Sequence, residues 1–332
     1  MKKNVAFVIV LFAISLSVLL GIVLGRYSSK ALAVESVNAS CSVTMAEIIA
    51  SAQGDVYNTA EFSDDYVEAK TYYLVAYTVN GDEIFKPTFE TVPSDLKDEQ
   101  KDTALQNSAW EVFTTLIPAQ DREMVVQYNV FTDGYSNTLA AVDQNHADPA
   151  KWILEVDLAD LEDKDAFLFT LIHEYAHLLT LNSSQAIPDP ELLEDPMNLS
   201  LQKQKAAACP NYFTGNSCSY ADSYMQAFYS RFWLDIHEDW GKIDALQYGT
   251  EDYMPYYEGL YAFYKSHQDQ FLDDYSTTHP AEDIAESFTY FVFSPKPTGN
   301  SIKEQKIAFF YEYPELIQLR ENILNGACSL NK

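Results

Sequence analysis

Residues 170–180 read TLIHEYAHLLT, and a helix through them is the strongest constraint this sequence places on its fold. Phe167, Leu168, Leu171, Ile172, Leu178 and Leu179 recur at helical spacing, and Asp163 or Asp165 can cap the N-terminus. The apolar flanks on both sides predict a helix that is mostly buried. It carries His173, Glu174 and His177, the string H-E-x-x-H. With six His and 49 acids in 332 residues, under about 0.02 accidental matches to that string are expected. A helix sets His173 and His177 one turn apart on one face, where both imidazoles can hold one Zn²⁺. Glu174 projects beside them, placed to take a proton from a metal-bound water. The plainer alternative is an amphipathic helix with its polar residues in water. Two His and a Glu on a buried helix, however, need polar partners.

The chain begins MKKNVAFVIVLFAISLSVLLGIVLGRYSSK, and residues 5–25 carry no charge. Such a run is long enough to span a bilayer and longer than the usual apolar region of a signal peptide. Arg26 and Lys30 separate it from a small-residue ALA stretch at 31–33, which disfavours cleavage there. The reading is a single-pass anchor at the cell membrane with the bulk of the chain outside the cytoplasm; secretion after signal cleavage is the alternative. Beyond residue 33, seventeen Lys and Arg face 49 acids, a net charge near −32. That balance disfavours nucleic acid and anionic lipid headgroups as partners. Hydrophobic residues at 47% and aromatics at 14% supply a packed core rather than a disordered acidic tail.

Three regions are expected: a transmembrane segment at 1–30, an irregular lead-in at 31–69 and one folded domain at 70–332. TYYLVAYTVNGDEIFKPTF (71–89) reads as a hairpin turning at Asn80-Gly81. Residues 94–116 read as a helix, and EMVVQYNVFTD, NTLAAVDQ and KWILEVDLAD as strands. KWILEVDLAD, just before the motif helix, is the candidate edge for an added peptide strand. Residues 181–219 read as loop, 220–240 as one aromatic-rich helix, and a further helix is expected near 255–272. The fold class is α+β, a small sheet beside a mostly helical half that carries the motif helix. Cys209 and Cys218 bracket the turn-rich PNYFTGNS, which predicts a disulfide; Cys41 and Cys328 form a candidate second pair.

A catalytic zinc site needs a third protein ligand. Besides His146, His237, His267 and His279, the candidates are the acids of HPAEDIAESF (279–288). Pro280 suits a first helical turn, so Glu282 and Glu286 lie one turn apart. Either can approach the metal; the place of Glu282 in the first turn after Pro280 favours it as ligand, and Glu286 can then hold the far nitrogen of a ligand His.

Together these motifs resemble the gluzincin metallopeptidases, and the Glu282–Phe288 stretch is similar to the E-x-x-A-E-x-F helix of anthrax lethal factor-type enzymes and putative bacterial zinc peptidases. The resemblance, carried by two short motifs, implies a zincin-like domain with one Zn²⁺. It implies His173, His177 and Glu282 as ligands, Glu174 as general base and Glu286 in outer support. It also implies a tyrosine seven residues before the ligand Glu, a spacing that Tyr275 meets. Tyr275 or His279 would then donate to the developing oxyanion. The long separation of His177 from Glu282 departs from thermolysin-like enzymes. The implied activity is zinc-dependent hydrolysis of peptide or protein substrates. The rivals are a catalytically silent zinc-binding surface module and a closed structural zinc site, which would need a fourth ligand such as His279 or a Cys.

Overall fold

A computed structural model describes residues 45–50, 70–134, 138–250 and 252–330. The chain divides into two units, 1–44 and 45–332, and all described residues belong to the second. No helix among them is long and apolar enough to cross a membrane; the apolar run at 5–25 lies outside the described residues, as does Cys41.

The hairpin expected at Asn80-Gly81 forms from β1 (Tyr72–Asn80) and β2 (Glu83–Phe89). Gly81 has φ +60°, a conformation that costs glycine nothing and suits the tight turn. Arg122 bonds the Gly81 carbonyl and the Asp82 side chain, clamping that turn onto the body. The other three strands of this sheet are β3 (Val125–Thr132), β4 (Ala140–Asn145) and β5 (Asp148–Asp157), giving a mixed five-stranded sheet in the order β2-β1-β3-β5-β4. β3 and β5 run parallel and the other neighbours antiparallel. KWILEVDLAD is therefore not the edge. β5 is paired on both sides, and β4 takes the outer place because it folds back antiparallel onto β5.

Helix α1 (Thr103–Leu116) starts later than its apolar pattern, since residues 94–101 form two short 3-10 turns and Asp102 caps the helix. Trp110, Phe113 and Leu116 bury its inner face, which α10 (Pro314–Leu330) covers. Gly326 makes that approach feasible: a Cβ there would meet the Thr115 carbonyl oxygen at 2.3 Å.

The motif helix α2 (Lys164–Leu181) is capped by Asp163, whose side chain accepts from the Ala166 N–H. It ends where the Asn182 amide bonds the carbonyls of Leu178 and Leu179. Residues 182–223 are less irregular than expected. They hold α3 (Pro190–Glu194), α4 (Leu199–Ala208) and a ribbon of β6 (Ala186–Pro188) with β7 (Ser217–Ser219), closed by the Cys209–Cys218 disulfide. The aromatic helix expected over 220–240 is split into α5 (Tyr224–Phe232) and α6 (His237–Asp244). The break lies where the Leu234 N–H bonds Tyr229, five residues back, instead of continuing the four-residue ladder. Then come α7 (Met254–Ser266), shorter than its pattern, α8 (Pro280–Phe293) and α9 (Ile302–Phe309). α8 packs along α2 in the core, and the site lies between them.

Candidate metal centre

Helix α2 presents His173 and His177 one turn apart, 5% and 9% exposed. Their rings meet edge to face at 4.9 Å. α8 is fixed at its start by Pro280 in the first turn and by His279, whose Nδ1 accepts the Ala281 N–H. That sets Glu282 and Glu286 one turn apart against α2. The Nε2 atoms of the two His are 3.1 Å apart, and Oε2 of Glu282 lies 3.0 Å from one and 3.3 Å from the other. A tetrahedral zinc with bonds of about 2.0–2.1 Å spaces its ligand atoms about 3.3–3.4 Å apart. The three atoms thus come close to forming one face of such a tetrahedron, and this group could hold a metal ion.

Glu286 has a different place. Its Oε1 lies 2.8 Å from Nδ1 of His173, on the far side of the ring from Glu282. If Nδ1 carries the proton toward Glu286, Nε2 is left with a lone pair. That lone pair faces a carboxylate oxygen and Nε2 of His177, so with both imidazoles in this tautomer three acceptors converge. A cation in the gap, a proton or a metal, resolves the conflict. Electrostatics agree. Burial alone would lower the His173 pKa, yet hydrogen bonds to Glu282 and Glu286 and their charges carry it well above the ordinary value. Burial likewise opposes ionisation of Glu282, but His177 and His173 hold it well below the usual carboxylate range.

Glu174, on the same helix, is pushed up by burial against the pull of the two His. The Val142 backbone N–H of the edge strand β4 donates to its carboxylate, so this side chain bridges the motif helix to the sheet edge. Tyr275 sits in a short 3-10 turn, Tyr275–Thr277. Its ring lies 5.7 Å from that of His173 and its hydroxyl reaches Glu282. Burial, then the charges of Glu282 and Glu174, raises its pKa far above that of a free phenol. His279 lies beside the site with a fixed tautomer: Nδ1 accepts, so Nε2 carries the hydrogen. Burial lowers its pKa to about 4, so the ring is neutral at ordinary pH. The Trp240 ring stands 5.6 Å away and its indole N–H bonds the Thr277 carbonyl, joining α6 to the Tyr275 turn.

His173, Glu174, His177, Tyr275, His279, Glu282 and Glu286 thus gather in one place, whereas the other candidate ligands do not join it: His146 is exposed beside Glu194, His237 packs on Tyr212 and Tyr229, and His267 on Phe263. Among the described residues, the gathered metal-ligand atoms come from three side chains. Cys209 and Cys218 are bonded to each other, and His279 spends Nδ1 on its helix cap. Sequence reasoning missed Asp273, Val142 and the buried Lys306. The readable signal for Lys306 was its place directly ahead of the apolar Ile307, Phe309 and Phe310. For Val142, whose contribution is a backbone N–H, there was none. No family model matches the chain, no curated protein matches it, and no solved structure matches it.

Proposed function

We propose that the protein is a zinc-dependent endopeptidase of gluzincin type, with His173, His177 and Glu282 as metal ligands. The observation that carries this reading is the triangle of Nε2, Nε2 and Oε2 atoms at 3.0–3.3 Å, backed by Glu286 on the far nitrogen of His173. Two imidazoles and one carboxylate form a borderline donor set that suits zinc, whereas magnesium and calcium take oxygen ligands. Three protein ligands leave a position open for water or substrate, the arrangement of catalytic rather than closed structural sites.

When bound, zinc supplies Lewis acidity toward a carbonyl and lowers the pKa of water. The chain's own residues do the rest. Glu174, raised by burial, accepts the proton of the attacking water and returns it to the leaving amine. Its bond from Val142 holds the carboxylate toward the β4 edge. His279 is a donor only: its Nε2–H can bond a developing oxyanion, but with Nδ1 committed it cannot relay a proton. Tyr275 offers a second donor once its hydroxyl leaves Glu282. An extended peptide would pair along β4, the free strand edge beside Glu174. The apolar run at 5–25 would anchor this domain to a membrane, with its acidic surface disfavouring acidic substrates.

The deciding experiment compares wild type with Glu174→Gln on a mixed peptide library. Both should bind one zinc per chain, and only wild type should cleave. Wild-type protein that takes up no stoichiometric zinc, or a Gln variant with full hydrolysis, would end this reading.

A further inference from the structure

Behind Glu286 lies a second cluster of buried charge that the proposed reaction does not use. Asp283 of α8 and Lys306 of α9 are both fully buried, with Nζ 2.7 Å from Oδ2. Asp273, in the segment before the Tyr275 turn, faces the same cluster. Its Oδ1 accepts two hydrogen bonds from Ser276, from the backbone N–H at 2.8 Å and the hydroxyl at 2.6 Å. Its carboxyl group is also within hydrogen-bonding reach of Glu286.

From α8 Asp273 meets Glu286 and Asp283, from α9 Lys306, and beyond Glu286 stands His173 of α2. Lys306 is committed to Asp283, and Nδ1 of His173 to Oε1 of Glu286. Among the described residues no further cation faces Asp273. Meanwhile Oε2 of Glu286 is buried and accepts from no N–H or hydroxyl among the described residues. One proton answers both deficits. With Oδ1 occupied by Ser276, that proton belongs on Oδ2 of Asp273, pointing at Glu286.

We infer that Asp273 is a positioning residue: as a neutral acid it donates to Glu286, tying the carboxylate that orients His173 to the turn that carries Tyr275. The inference rests on the zinc reading for its functional meaning. Burial and the Glu286 charge push the Asp273 carboxyl up to about 8, so the acid form persists at neutral pH. A single side chain then sets both the tautomer of a metal ligand and the position of a donor above it, a linkage of the outer-shell kind.

The test uses the full-length protein, titrated with zinc against a competing chelator. Asp273→Asn keeps a donor for Glu286 and an acceptor for Ser276; Asp273→Ala keeps neither. The Ala variant should lose about 10–100-fold in zinc affinity, as outer-shell losses do, and the Asn variant should lose less than the lower end of that range. An Ala variant that binds like wild type, or an Asn variant as weak as Ala, would overturn the inference. Wild type that binds no zinc refutes the proposed function instead, and a metal-free measurement then decides the role of Asp273. A carboxyl raised on folding contributes stability that is present at low pH and lost as pH rises from about 4 through about 8. Urea unfolding in chelator should therefore show Asp273→Asn gaining on wild type across that window. Parallel profiles would overturn the inference, and this arm needs only the conservative variant.

Discussion

The two sides of α8 treat buried acids in opposite ways. Asp283 turns away from α2 and finds its countercharge within the protein. Lys306 lies 2.7 Å from it, the Trp233 indole N–H donates at 2.7 Å, and the same ammonium stands 3.9 Å from the Phe271 ring. Burial pushes Asp283 up to about 6 in spite of those partners, and lowers Lys306. One residue earlier, Glu282 faces α2, where its neighbours are two imidazole nitrogens and the Tyr275 hydroxyl, with no Lys or Arg among the described residues paired to it. The first side pairs its carboxylate with a Lys; the second sets its carboxylate against two imidazoles, a group that could hold a metal ion. A buried charge is tolerated only when paired and hydrogen-bonded. The contrast therefore separates an ion pair from a candidate metal site on neighbouring residues of one helix.

The largest effect should come from the side facing α2. His177→Ala removes one of the three proposed ligands, and elemental analysis after zinc reconstitution should find no stoichiometric metal. Retention of one zinc per chain would place the metal elsewhere. On the side of the ion pair, Lys306→Met leaves Asp283 buried without its cation, which should destabilise the fold by about 3–5 kcal/mol in urea unfolding. The double variant Asp283→Leu with Lys306→Met should recover most of that loss, because the pair owes its stability to mutual neutralisation. A single variant as stable as wild type would show that the pair is not needed. The smallest effect belongs to Glu286→Ala, which takes away only the far partner of His173. Zinc affinity should fall about 10–100-fold, or about 1.4–2.7 kcal/mol, less than for Glu282→Ala. The reverse ranking would exchange the roles of the two glutamates.

What the sequence determined by itself is local. The His173–His177 pair, the Asp163 cap, the Gly81 turn and the Glu282–Glu286 spacing are all set within a few residues, where helical and strand periods fix direction. The Cys209–Cys218 bridge closes a short loop and was readable for the same reason. Tertiary structure decided everything that joins distant segments. Spacing put Glu282 and Glu286 on one face of α8; only the packing of that helix on α2, 109 residues away in sequence, put one at Nε2 and the other at Nδ1 of His173. β5 reads as strongly as an edge strand would, and it is central because β4 folds back over its outer side. Lys306 and Asp283 are ordinary surface residue types, buried because α9 crosses α8 at that point. The sequence sets which way a side chain leaves its own helix or strand. What it meets there depends on chain segments whose positions no local period encodes.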